Sequence, residues 1–258
     1  AAIDGRPEEA LALFNKALEA QSLHMGANFG KGMILYKKGD VSAARECMKT
    51  VVQWRPERWD ALIVLAELES KSGDNGRAID LYRKAVSLKD DARARMGLGL
   101  VQAAVKDFDA AVASLRKATE LDPKLADAWV SLGNLYLSAG ALPQAEQALR
   151  GALQARQDPV VAGTLAAVLN RQNRPSEALQ VLTPLLQQQA GPATLIEAAR
   201  SLESLGRKEE AWSVYQAAGQ ALQSLGGSVE ASSVEPLVRE IDAAQQRIGP
   251  AATKPSGK

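Results

Sequence analysis

An all-α array of stacked helical hairpins is the fold class that this sequence predicts, and three observations carry the prediction. The chain has 258 residues, 46% hydrophobic and 24% charged but only 4% aromatic, with 46 alanines. That composition suits helices packed closely through small side chains. A small residue recurs at Ala10, Ala44, Ala78, Ala111, Ala145, Ala178 and Ala211, always 33 or 34 residues apart. Alanine fills fewer than one position in five, so seven in seven is not an effect of composition. Glycines and prolines then punctuate the segments that this period defines.

Two helices are needed to explain each period. Four residues after the alanine stands a large apolar side chain (Phe14, Met48, Tyr82, Leu115, Leu149, Leu182, Tyr215), and three further on a mostly small one (Ala17, Val51, Ala85, Ala118, Ala152, Leu185, Ala218). Spacings of three and four share one helix face, which makes this the second helix of a unit. A first helix precedes it, marked by Gly32, Ala66, Gly99, Gly133, Ala166 and Ala199, small residues that let two backbones approach at a crossing. Between the helices stand Gly39, Gly73, Gly140 and Gly206, with Lys106 and Asn173 as substitutes, where a helix ends in the left-handed conformation. Pro159 and Pro192 open first helices, and Pro7, Pro143 and Pro175 open second helices.

These columns resemble the tetratricopeptide repeat. In DAWVSLGNLYLSAGALPQAEQALRGAL the residues Trp129, Leu132, Gly133, Tyr136, Gly140, Ala145 and Ala152 match its signature positions. The resemblance implies a right-handed superhelical solenoid and divides the chain into six units, 25–58, 59–91, 92–125, 126–158, 159–191 and 192–225, behind a partial repeat over 1–24. Unit 159–191 departs from the pattern, because Pro184 inside its second helix lacks a donor and clashes with the carbonyl of Gln180. The signature tryptophan stands only at Trp129.

Repeat arrays end in atypical capping helices, since no unit covers its own apolar face. Residues 233–248 are expected to form the C-terminal cap, with a stripe of Val234, Leu237, Val238, Ile241, Ala244 and Ile248, Pro236 in the first turn and Ser233 as the capping residue. Residues 249–258 read as a disordered tail or linker. At the front, the helix at about 6–20 presents Leu11, Phe14 and Leu18 with no first helix before it. Either further repeats or a partner cover that edge, or the helix itself caps unit 25–58.

The resemblance places ligand contacts on a concave face lined by first helices. The fifth place of each unit holds Phe29, Ile63, Met96, Val130, Gly163 and Ile196, and the ninth holds Met33, Glu67, Leu100, Asn134, Ala167 and Arg200. The candidate partner-binding groove is therefore Phe29, Met33, Ile63, Glu67, Met96, Leu100, Val130, Asn134, Ile196 and Arg200. Of the Lys, Asn and Arg set that clamps a terminal carboxylate in some members of the family, these places hold only Asn134 and, two units away, Arg200, which is no clamp. The sixth place, Gly30, Val64, Gly97, Ser131, Thr164 and Glu197, lacks the asparagine ladder of others. An apolar floor with sparse polar markers suits an extended or helical peptide held by side-chain burial. The competing reading is that such a stripe is internal packing.

Several chemistries find no support. Lys and Arg total 31 against 30 Asp and Glu, a net charge of +1, which lacks the basic footprint of a nucleic-acid binder. One cysteine, Cys47, and one histidine, His24, provide neither a disulfide nor a multi-histidine metal site. Gly97-Leu98-Gly99 follows no strand and is not a phosphate loop. No cofactor, metal or catalytic constellation is expected, and no apolar run approaches the roughly 18 residues of a membrane span. Lys37, Lys38 and Arg55 lie in a basic unit, as a solvated face or as a steering patch. The expected function is a non-catalytic protein-interaction scaffold that binds a peptide or protein. The Ala-, Leu- and Gln-rich style resembles bacterial arrays of cell-envelope, secretion or polysaccharide-assembly systems. The alternative is a docking arm of an enzyme whose catalytic domain lies elsewhere. No targeting segment marks a periplasmic or a cytoplasmic location.

Overall fold

A computed structural model describes residues 6–186, 190–225 and 231–249. Among them are fourteen α-helices and no strand. After α1 (Pro7–Ala20) the helices run in pairs: α2 (Met25–Lys38) with α3 (Val41–Trp54), α4 (Trp59–Lys71) with α5 (Asn75–Leu88), and α6 (Ala92–Ala104) with α7 (Phe108–Leu121). Then come α8 (Ala126–Ser138) and α9 (Leu142–Ala155), α10 (Pro159–Arg171) with α11 (Pro175–Leu186), and α12 (Pro192–Ser204) with α13 (Lys208–Leu225). A last helix, α14, spans Ala231–Ile248. The fold is all-α and of the tetratricopeptide type, built of packed helical hairpins, as the period predicts.

The turns inside the hairpins follow from two adjacent residues. Gly39, Gly73, Gly140 and Gly206 have φ between 72° and 86°, and Lys106 and Asn173 take the same left-handed place at 64° and 58°. Next to three of these stands an aspartate. Asp40, Asp74 and Asp107 accept hydrogen bonds from Ala43, Arg77 and Ala110 N–H, which caps α3, α5 and α7. Asp91 and Asp158 cap α6 and α10 in the same way. His24, at a unit boundary, caps α2 by accepting the Ala27 N–H at 3.0 Å on Nδ1.

The chain divides into two compact units, 1–135 and 136–258. In the first, α1 packs on α2: Leu11 lies against the α2–α3 core, and the Phe14 ring fills the space that Gly30 leaves open. Ala44, Ala78 and Ala111 are fully buried at the hairpin crossings. At Gly99 a Cβ would stand 2.7 Å from Leu115 Cγ and 3.1 Å from the Ala111 carbonyl, so the α6–α7 crossing excludes any larger residue. Cys47 is a buried core residue whose thiol burial pushes up. Glu69 is 2% exposed and sits between Arg45 and Arg77 at 3.6 and 3.5 Å, a buried charge with two partners.

In the second unit Ala145, Ala178 and Ala211 occupy the same crossings, fully buried. Pro184 lies in the last three residues of α11. Ile241, Ala244 and Ile248 of α14 are buried with Tyr215 and Ala218 of α13, and Val234 and Leu237 pack beside them. Two expectations for this helix need correction. Val238 is 41% exposed and stands off the stripe. The helix starts at Ala231, so Ser233 and Pro236 lie inside it rather than at its cap and first turn. The tail beyond residue 249 lies outside the described residues.

Candidate functional site

First helices of the N-terminal unit form one open cleft. On α2, Phe29, Met33 and Tyr36 follow at spacings of four and three. On α4, Trp59, Ile63, Glu67 and Lys71 follow at four, and on α6, Arg93, Met96 and Leu100 at three and four. Each spacing keeps its residues on one helix face, and the faces converge on a cavity of about 590 Å³. Its floor includes Tyr82 of α5, whose ring reaches under α6 only because Gly97 is there. A Cβ at Gly97 would stand 2.4 Å from that ring.

The cleft is aromatic inside and cationic at its edge. The Arg58 guanidinium lies 3.8 Å from the centroid of Phe29, Lys71 Nζ 4.6 Å from that of Tyr36, and Lys89 Nζ 3.9 Å from that of Trp59. Its two carboxylates are already engaged. Glu67 accepts the Tyr36 hydroxyl and pairs with Lys71 at 3.4 Å. Asp60 accepts from Arg58 Nε at 3.0 Å and from the Ala61 N–H at 2.9 Å. Burial first, then the Glu67 charge, pushes the Tyr82 hydroxyl well above the usual phenol range, and burial with the Glu67 hydrogen bond does the same at Tyr36. Both phenols stay protonated at neutral pH, so these two side chains present neutral aromatic surface to the cleft. Size, apolar lining and a few placed polar groups are the properties of a binding site.

Six of the ten expected groove residues line this cleft: Phe29, Met33, Ile63, Glu67, Met96 and Leu100. Val130, half-buried, and Asn134, exposed, lie on α8 and are not among its lining. Ile196 is not a groove residue; it is 1% exposed and packs with Ala199, Tyr215 and Ile241, because α14 lies against α12 and α13 and covers it. Arg200 is exposed but committed, to Glu197 at 2.7 Å and to Glu240 of α14 at 3.4 Å. At the sixth place, Gly30 and Gly97 are buried against Phe14 and Tyr82.

Sequence reasoning missed Tyr36, Trp59, Lys71, Tyr82 and Arg93. All but Tyr82 lie one turn from a residue that was chosen, so extending each row by three or four places finds them. Tyr82 comes from a second helix, and its signal was the glycine at place six. Of the basic residues Lys37, Lys38 and Arg55, Lys38 pairs with Glu8 at 3.1 Å and Arg55 with Glu57 at 3.6 Å. Among the described residues no group of three or more His, Cys, Asp or Glu is placed to hold a metal ion, and no helix is long and apolar enough to cross a membrane.

Several known proteins are similar to this chain. The family described as the cilia and flagella-associated protein 70 C-terminal domain matches residues 9–252. The protein CTR9 homolog of Arabidopsis thaliana is 29% identical over 128 residues, 49% of this chain but only 12% of that protein's length. Among solved structures, Pseudomonas aeruginosa pilF has a TM-score of 0.64 at 21% identity, over 82% of this chain and 96% of that one. YrrB, a TPR protein with an unusual peptide-binding site, has a TM-score of 0.55 at 15% identity, over 76% and 97%. At these identities the two structures speak for the fold alone.

Proposed function

The chain belongs to the tetratricopeptide-repeat family of the cilia and flagella-associated protein 70 C-terminal domain, and we propose that it is a non-catalytic scaffold holding a peptide segment of a partner protein in the cleft of α2, α4 and α6. The observation that carries this reading is the convergence of six apolar or aromatic side chains (Phe29, Met33, Trp59, Ile63, Met96, Leu100), from three successive first helices, on one cavity. Burying apolar ligand surface there contributes roughly 25 cal/mol per Å² before the costs of ordering the peptide. YrrB, of the same fold, offers a precedent for peptide binding by such arrays.

The system served is read from residue style alone. The similarities run to a ciliary family, a plant protein and a Pseudomonas protein, and they do not choose a cell-envelope, secretion or polysaccharide-assembly setting. The test is photo-crosslinking from residue 63 in an extract of the native host, with the crosslinked peptide identified by mass spectrometry. Met96→Glu is expected to lower the yield at least tenfold with thermal unfolding little changed, while Val160→Glu, an exposed site in the other unit, leaves it intact. Equal yields from a folded Met96→Glu protein would move the binding site elsewhere.

A further inference from the structure

The cleft has an excess of positive charge that its own residues do not consume. Arg58, Lys71, Lys89 and Arg93 stand in or at the edge of it, against the carboxylates of Asp60 and Glu67. Both carboxylates are bound, to Arg58 and to Tyr36 with Lys71. Among the described residues neither Lys89 nor Arg93 has a carboxylate partner. The aspartates just before α6 do not supply one: Asp90 pairs with Arg95 at 2.6 Å, and Asp91 accepts the Arg93 and Ala94 N–H groups. Lys89 instead covers the Trp59 ring, and Arg93 lies exposed one turn before Met96 on the same face.

Resting on the peptide-binding reading of this cleft, we propose that its partner segment is acidic and apolar, with large aliphatic side chains on the Met33–Ile63–Met96 floor and Asp or Glu side chains meeting Arg93 and Lys89. Charge complementarity decides the class. A basic segment would face two cations in a cleft whose own carboxylates, Asp60 and Glu67, are already engaged, whereas an acidic one gains paired contacts at a rim where charge sets specificity and association rate. The two cations come from different helix ends, α6 and the residue after α5, so they call for separated side-chain carboxylates rather than one chain terminus. Of the fifth- and ninth-place residues, those of the types that clamp a terminal carboxylate elsewhere in the family are Asn134 and Arg200, both outside the cleft lining.

The test uses random dodecapeptides displayed as internal fusions, which have no free carboxy terminus, selected on the full chain and on its Met96→Glu and Arg93→Glu variants, with circular dichroism as the fold control. Enrichment of Asp or Glu near Leu, Ile or Met on the full chain is expected. That enrichment should be lost with Met96→Glu, and Arg93→Glu should weaken the selected acidic peptides about tenfold. Affinity should also fall as salt rises. Selected peptides that depend on Met96 but are neutral or basic would overturn the acidic class and leave the cleft reading standing. An absence of any Met96-dependent enrichment would remove both. Selected peptides synthesised with free and amidated ends should bind alike, and binding confined to the free-ended form would overturn side-chain recognition in favour of the terminus.

Discussion

The same repeat position is surface in one unit and core in the other. At the fifth place of their first helices, Phe29, Ile63 and Met96 are half-buried around an open cleft, while Ile196 is sealed beneath α14. The ninth place differs too: Leu100 is 45% exposed beside Met96, whereas Arg200 is tied to Glu197 and Glu240. Around Tyr215 the second unit builds a polar web in which Arg247 donates to Glu203 at 3.0 and 3.1 Å and the tyrosine hydroxyl to Glu203 at 3.3 Å. A repeat thus fixes where a side chain points. Its neighbour decides what that side chain does.

The sharpest break in this comparison is a matched pair of truncations. Ile196→Ala should cost about 2–4 kcal/mol, as a well-packed core deletion does. Met96→Ala at the equivalent place should cost about 1 kcal/mol or less, because its side chain is only partly buried and lines an open cleft. Denaturant unfolding followed separately in each unit by hydrogen exchange measures both, and equal costs would erase the distinction.

Acid sharpens it further. Glu146 and Glu240, both in the second unit, are raised by burial but lowered more by hydrogen bonds from Arg174 and Arg150 and from Arg200, so both carboxyls end below their usual range. A carboxyl depressed on folding contributes stability above its unfolded pKa and loses it as pH falls through the folded one. Protection of α9, α11 and α14 should therefore fall faster than that of α4 and α5 below about pH 4.3, the ordinary glutamate value. Parallel losses in the two units would count against the networks.

The smallest effect tests the turns. Lys106 holds φ 64° where four other hairpins use glycine. Lys106→Gly should gain about 0.5–1 kcal/mol by relieving the left-handed strain, and Gly140→Ala should lose about as much, both measurable as shifts in thermal unfolding.

The hairpins were legible in the sequence because their signals are local and repeated. An alanine at a crossing and an apolar residue four places on recur in every unit, and a glycine ends the first helix in four of the six, so each confirms the others. The cleft was legible in part. Phe29, Ile63 and Met96 follow from register, and the rows on α2, α4 and α6 extend from them. Tyr82 could not be read from its own helix, since its place in the cleft depends on a missing Cβ at Gly97, fifteen residues away. Nor was the burial of Ile196 visible, because it comes from a helix more than thirty residues later.

By itself, the sequence determined the helices, their turns and their pairing, since these rest on backbone conformation and on side chains within one period of each other. Only the tertiary structure decided which apolar rows remain open and which are closed, and which charges are left over once the ion pairs are made. Burial and pairing depend on atoms brought together from separate helices, and that is settled by how helices pack.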